Sequence, residues 1–321
     1  MEPTHPIYEY IKMHTKEGQL PGNFSIPWTE DMWAPGAHDG VFLRHMAPVE
    51  SMPDADRDRK ILKALTLMAT EDSLDHIGEL FDLLEEIDGK TAVVCLYDEI
   101  QRIIYENQDK MDLMRLLNFG DWLICKGVSL LAVKWGLSVI SGFTAPFVEE
   151  VATEFGVYEE FTYYAARILS RSSWEKGNDE LFILAQNTRG WGRIHAVDYL
   201  RAETQEIRDW LLYYGADNTV IPQYSADVCL QKAEAGKRLE SSLTAEEYKA
   251  IGRLIGYTLE PGPCPGLTDG ERILSQYLAK AKEYPADHEL IRRILEKAED
   301  YRLGPYTVET ARQLLENTKG K

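Results

Sequence analysis

Between Leu20 and Pro53 the chain reads LPGNFSIPWTEDMWAPGAHDGVFLRHMAPVESMP, and this stretch holds its densest mixture of groups able to do chemistry. Glu30, Asp31, His38, Asp39, Arg44 and His45 stand among Trp28 and Trp33. Imidazoles titrate near neutral pH and carboxylates accept hydrogen bonds, so such a set can hold a polar ligand. His38, Asp39 and His45 would also supply the imidazole and carboxylate donors of a metal site with open positions, but their spacing matches no established ligand motif. The ligand-binding candidates are therefore Trp28, Trp33, His38, Asp39, Arg44 and His45, with no catalytic residue and no metal ligand assigned.

The segment that carries them has to be held by something. Its five prolines, three glycines and the aromatics Phe24, Trp28, Trp33 and Phe42 are not the composition of a disordered tail. Each large aromatic buries on the order of 150 to 250 Å² when it packs. The composition predicts an ordered, non-helical arm laid across the rest of the protein, with Trp28 and Trp33 docked and His38, Asp39 and His45 at the rim of a pocket.

The rest of the chain has helical periodicity. Leu74, Ile77, Leu80, Phe81 and Leu84 form one stripe ended by Gly89, and Val93, Leu96, Tyr97, Ile100 and Ile104 form the next. Thr244 and Glu247 make a capping box ahead of Tyr248, Ile251, Leu254 and Ile255. Leu290, Ile291, Ile294, Leu295 and Ala298 make another stripe, stopped by Gly304 and Pro305. No alternating β-branched run is present. These blocks predict an all-α protein, an irregular α-solenoid of antiparallel helix pairs, HEAT-like, behind the N-terminal arm. The expected divisions are an N-terminal helix and arm over 1–53, a helical-repeat body over 54–258 and a C-terminal helical cap over 259–321. One unit is legible by itself: GWGRIHAVDYLRAETQEIRDWLLYYGADN, residues 190–218, resembles a single ankyrin-type or HEAT-type helix pair, with His195 near the turn into its first helix.

Charge and hydropathy narrow the partners. With 53 acidic against 35 basic side chains the net charge is −18, a field that repels phosphate backbones and anionic membranes. The stretch Gly127 to Phe147 is apolar, but Lys134 at its middle costs about 3 kcal/mol in a membrane. It reads as a buried helix in which Lys134 reaches an edge of the helix or a carboxylate. The opening residues MEPTHPIYEYIKMHTKEG lack the basic start and apolar block of a signal peptide, which predicts a cytoplasmic protein. Partners are expected to be a small apolar ligand or a protein, with no nucleic acid and no membrane.

Four cysteines spaced 30 or more residues apart form neither a disulfide framework nor a zinc pattern. Cys95, Cys125 and Cys229 read as small buried hydrophobes. Cys264, in PGPCPG, is the one candidate haem thiolate. Of the aromatic, glycine and arginine that haem-thiolate monooxygenases place seven, four and two residues earlier, only the aromatic fits, since Tyr257, Glu260 and Gly262 stand there. Dinucleotide, phosphate-loop, HExxH and GxSxG motifs are absent. The adjacent acidic pairs Glu149-Glu150, Glu159-Glu160 and Glu246-Glu247 read as solvated helix faces.

PGNFSIPWTEDMWAPGAHDG and GWGRIHAVDYL, with the helical body between them, resemble a group of bacterial proteins named limonene hydroxylase, over nearly the whole chain. The resemblance implies hydroxylation of limonene to carveol or perillyl alcohol, and further oxidation of those alcohols with a nicotinamide cofactor (NAD). It carries over no catalytic motif. The alternative expectation is a non-enzymatic helical-repeat scaffold that binds a protein or a small ligand.

Overall fold

The computed structural model describes residues 5–29, 33–46, 54–171, 176–262, 266–284 and 287–316. Among them are 18 α-helices and no strand, with one isolated bridge between Lys16 and Gln19. At 67% helix the all-α expectation holds. Glu30, Asp31 and Cys264 lie outside the described residues, as does the haem reading placed on Cys264.

The chain forms two compact units, residues 1–200 and 201–321. The boundaries read from composition, at 53/54 and 258/259, fall inside these units, the second of them within the last turn of a helix. The first contains α1 (Ile7–His14), α2 (Ala37–Val41), α3 (Ala55–Met68), α4 (Ile77–Asp88), α5 (Tyr97–Glu106), α6 (Leu113–Lys126), α7 (Leu130–Ile140), α8 (Pro146–Gly156), α9 (Thr162–Arg171), α10 (Gly177–Asn187) and α11 (Gly190–Tyr199). Helix starts follow their caps: Asp54 accepts from the Asp56 and Arg57 amides, Asp112 from Met114 and Arg115, and Ser129 from Ala132. Pro146 occupies the first turn of α8, where its missing N–H costs nothing.

At the centre of this unit is α7. It packs most extensively on α6, and every residue from Ala132 to Ile140 is buried. The apolar stretch is therefore core, and no helix among the described residues is long and apolar enough to cross a membrane. Val133 and Leu137 are buried as expected, whereas Leu130 and Leu131 are half-buried. Leu74 precedes the start of α4 and is exposed, so that stripe begins at Ile77 and is carried by Leu80, Leu83, Leu84 and Ile87.

The second unit contains α12 (Gln205–Tyr214), α13 (Gln223–Lys232), α14 (Ala235–Glu240), α15 (Ala245–Leu259), α16 (Gly270–Lys280), α17 (His288–Glu296) and α18 (Pro305–Glu316). The Thr244–Glu247 capping box forms as read, with Thr244 Oγ1 accepting from the Glu247 amide at 3.1 Å and Glu247 Oε2 from the Thr244 amide at 2.8 Å. Behind it, Tyr248 stacks on Tyr277 at 4.4 Å and 2° and on Tyr284 at 4.9 Å. Both helices of the 190–218 segment exist, as α11 and α12, but they belong to different units.

Candidate functional site

The described parts of the arm, residues 20–29 and 33–46, pack within the first unit, in a manner that differs from the expectation in several respects. Residues 37–46 are helical: α2 runs into a π-helical turn over Phe42–Met46, so His38, Asp39, Arg44 and His45 sit on helical turns. Gly36 makes this possible. Its φ of +72° turns the chain into α2, and a Cβ there would lie 2.6 Å from the Glu159 carbonyl oxygen. Upstream, Ile26 is buried, and Phe24 meets the Tyr158 ring edge-on at 5.1 Å. Trp28 is half-buried, packs edge-on against Tyr10 and donates from Nε1 to the Val128 carbonyl at 3.0 Å. Trp33 does not dock as Trp28 does. Its side chain is 45% exposed and meets the His38 ring edge-on at 6.0 Å.

Beneath α2 the arm delivers a carboxylate into the core. Asp39 is 2% exposed, and both of its oxygens lie 2.9 Å from Lys134 Nζ on α7. Glu160, just before α9, reaches the same ammonium from another direction at 2.5 Å, in ion-pair rather than linear hydrogen-bond geometry. Its second oxygen accepts the Gly36 amide at 2.6 Å. Tyr164 donates to Asp39 at 3.3 Å, and His38 Nδ1 lies 3.3 Å from the same carboxylate. A buried ammonium is thus held between two buried carboxylates, the three groups coming from three separate parts of the chain.

The electrostatics follow from that geometry. Burial pushes the Asp39 carboxyl up, but Lys134 and His38 outweigh it and hold it below the usual carboxylate range. Burial pulls the Lys134 ammonium down, and Asp39 with Glu160 more than offsets this, so it stays charged. The hydrogen bond to Asp39 raises His38. Burial raises Asp88, whose carboxylate accepts the Val93 amide at 3.0 Å.

On the far side of the arm, Gly40 rests on Trp191 of α11, where a Cβ would fall 2.1 Å from the indole ring. Arg44 bonds Asp198 at 2.5 Å. His195 is not a turn residue. It lies inside α11 at 3% exposure, against Tyr163 and Trp191, and its Nε2 has no hydrogen-bond partner among the described residues. Burial, then the nearby Arg44, lowers its pKa to about 3, so it is neutral. His45 is exposed on the last turn. Among the described residues no group of three or more His, Cys, Asp or Glu side chains has metal-holding geometry.

No family model, curated protein or solved structure matches this chain.

Glu160 is the residue the sequence reading missed. It was expected on a solvated face beside Glu159, yet Glu159 is half-buried and Glu160 is 3% exposed. The available signal was Lys134: an ammonium in the middle of an apolar helix demands carboxylates, although nothing in the sequence says which. The nicotinamide cofactor implied by the resemblance does not fit this cluster. No strand leads into a glycine-rich helix start among the described residues, and the space beside Gly36 and Gly40 is filled by Glu159 and Trp191.

Clefts also open apart from this cluster. In the first unit a cleft of about 300 Å³ opens between α1, α8 and α10. In the second, a wider one of about 710 Å³ is lined by Tyr213, Tyr214, Tyr248 and Tyr277 and edged by Lys249 and Arg253.

Proposed function

We propose that this chain acts on a monoterpene: limonene, molecular oxygen, a two-electron donor and two protons give carveol or perillyl alcohol and water, and those alcohols then pass two electrons and two protons to a two-electron acceptor. One observation carries the reading. The two segments behind the resemblance to bacterial limonene hydroxylases, the arm and GWGRIHAVDYL, meet in space: Gly40 abuts Trp191, and Arg44 pairs with Asp198 from 154 residues away. They meet beside a buried charged cluster, the kind of costly arrangement that concentrates at functional sites. The test is chemical: purified protein is incubated with limonene, oxygen and reduced nicotinamide, and separately with carveol or perillyl alcohol and oxidised nicotinamide. Products are read by mass spectrometry, and absence of every oxidised product overturns the reading.

A second reading, a non-enzymatic helical-repeat scaffold, is favoured by a different observation. Asp39, Lys134 and Glu160 satisfy one another, as a structural clamp would. On that reading the helices within each unit are an irregular HEAT-like array of antiparallel pairs, and the tyrosine-lined cleft of the second unit receives a protein or small ligand. A colourless, iron-free protein without turnover favours it.

A further inference from the structure

A third cleft, of about 220 Å³, lies in the first unit between the arm and the segments 157–159 and 187–189. We propose that it binds a free α-amino acid with an apolar side chain, the ligand's carboxylate on Arg189 and Asn187 and its ammonium on Glu159, at a site independent of the monoterpene reading.

Two opposite charges face this cleft and neither has a partner. Arg189, immediately ahead of α11, is exposed, and its guanidinium lies over Gly22 of the arm, where a Cβ would fall 2.5 Å from Nη1. Glu159 is half-buried, and its carboxylate lies against Gly190, where a Cβ would run into Oε2. Among the described residues neither side chain makes a hydrogen bond or an ion pair, with the other or with anything else. Burial raises the Glu159 carboxyl, and the attraction of Arg189 offsets this only in part. Charges of opposite sign that share a cleft without meeting are bridged by a ligand carrying the complementary pair a short distance apart.

The remaining polar groups sort in the same way. Asn187 Oδ1 accepts from Gln19 at 2.9 Å, which leaves its Nδ2 to donate. Thr188 is committed to the protein, its Oγ1 donating to the Leu184 carbonyl at 2.8 Å and its own carbonyl accepting from Arg193 Nε at 3.0 Å. One part of the cleft therefore offers donors only, including a planar guanidinium suited to a carboxylate, and another offers carboxylate acceptors suited to an ammonium. Leu20, Pro21, Phe24 and Pro35 of the arm, with Val157, supply the apolar wall. The volume lies below the roughly 300 to 1,000 Å³ of drug-sized ligand clefts, which fits one amino acid and not a peptide. A simple acid leaves Glu159 unmatched, a simple amine opposes Arg189, and a neutral hydrocarbon strips water from both charges without replacing it.

The experiment measures calorimetric binding to the full chain of leucine, of isocaproate, which is leucine without its amine, and of isoamylamine, which is leucine without its carboxylate. Leucine should bind at least tenfold more tightly than either fragment and should raise the melting temperature, since it joins the arm to the rest of the first unit. Arg189→Gln, at an exposed position, should keep the melting temperature of the unliganded protein, lose at least tenfold in affinity for leucine and leave isoamylamine unchanged. Glu159→Gln should weaken leucine to the same extent and leave isocaproate unchanged. Leucine binding unaffected by Arg189→Gln, equal affinity for leucine and isocaproate, or no binding of leucine, valine or phenylalanine at millimolar concentration overturns the assignment, whatever the outcome with limonene.

Discussion

Lys134 and Asp39, 95 residues apart in sequence, are joined by contacts of 2.9 Å inside a core where each is less than 10% exposed. The pair ties the arm to the central helix of the first unit. Removing the cation while leaving Asp39 and Glu160 in place strands two buried carboxylates, a loss of about 3 to 5 kcal/mol. Lys134→Met should therefore shift the urea midpoint strongly. The triple variant Lys134→Met, Asp39→Asn, Glu160→Gln should recover much of the loss, since no buried charge then lacks a partner. A Lys134→Met protein as stable as wild type would show that the ammonium is not buried.

Gly40 and Trp191 set the arm's close approach to α11. Gly40→Ala puts a methyl carbon into the indole ring, and overpacking of this kind costs about 1 to 3 kcal/mol. Lower melting temperature and faster proteolysis near residue 40 are expected, with partial recovery on adding Trp191→Leu. Trp33→Ala, at a 45% exposed site, should change stability by less than about 0.5 kcal/mol.

His195 makes stability depend on pH. Its folded pKa of about 3 lies below the unfolded value, near about 6.5. Between these limits the unfolded chain binds the extra proton, so stability falls on acidification, by about 2 kcal/mol from pH 6.5 to 5. His38 acts in the opposite sense: its raised pKa contributes stability that is present below the unfolded value and lost as pH rises through the folded one. Asp39, held low, contributes stability that disappears only in stronger acid, as pH falls through its folded pKa. Unfolding free energies of His195→Gln should show a flatter slope than wild type over pH 5 to 6.5. Parallel slopes would mean His195 titrates freely in the folded protein.

In the second unit, Thr244→Ala removes the capping interaction at the start of α15 and should cost about 1 kcal/mol in urea denaturation. Glu247→Gln, which keeps an acceptor for the Thr244 amide, should cost less. Equal losses would place the effect in charge rather than in the cap.

What was legible in the sequence was local. The Thr244–Glu247 box, the Gly89 stop after α4 and most of the stripes of α5 and α17 depend on residues within a turn or two of one another, and these formed, although Val93 and Leu96 lie on a 3-10 turn ahead of α5 and α17 ends at Glu296, before Ala298 and the expected stop at Gly304 and Pro305. Composition also pointed to an ordered arm, because its aromatics and prolines favour packing over solvent. It did not reveal that residues 37–46 would become helical, since that depends on Gly36 turning against Glu159 and on Trp191 receiving Gly40.

By itself the sequence determined that the protein is helical, acidic and unable to leave Lys134 unpaired in its apolar helix. Only the tertiary structure decided that Asp39 and Glu160 are the partners, that His195 is neutral in the core and Trp33 half in solvent, and that Arg189 and Glu159 face one cleft. The physical reason is range. Helix propensity, capping and periodicity act over a few residues, whereas ion pairing in a low-dielectric core is fixed by which distant segments pack together, and identical carboxylates such as Glu159 and Glu160 acquire different fates from that packing alone.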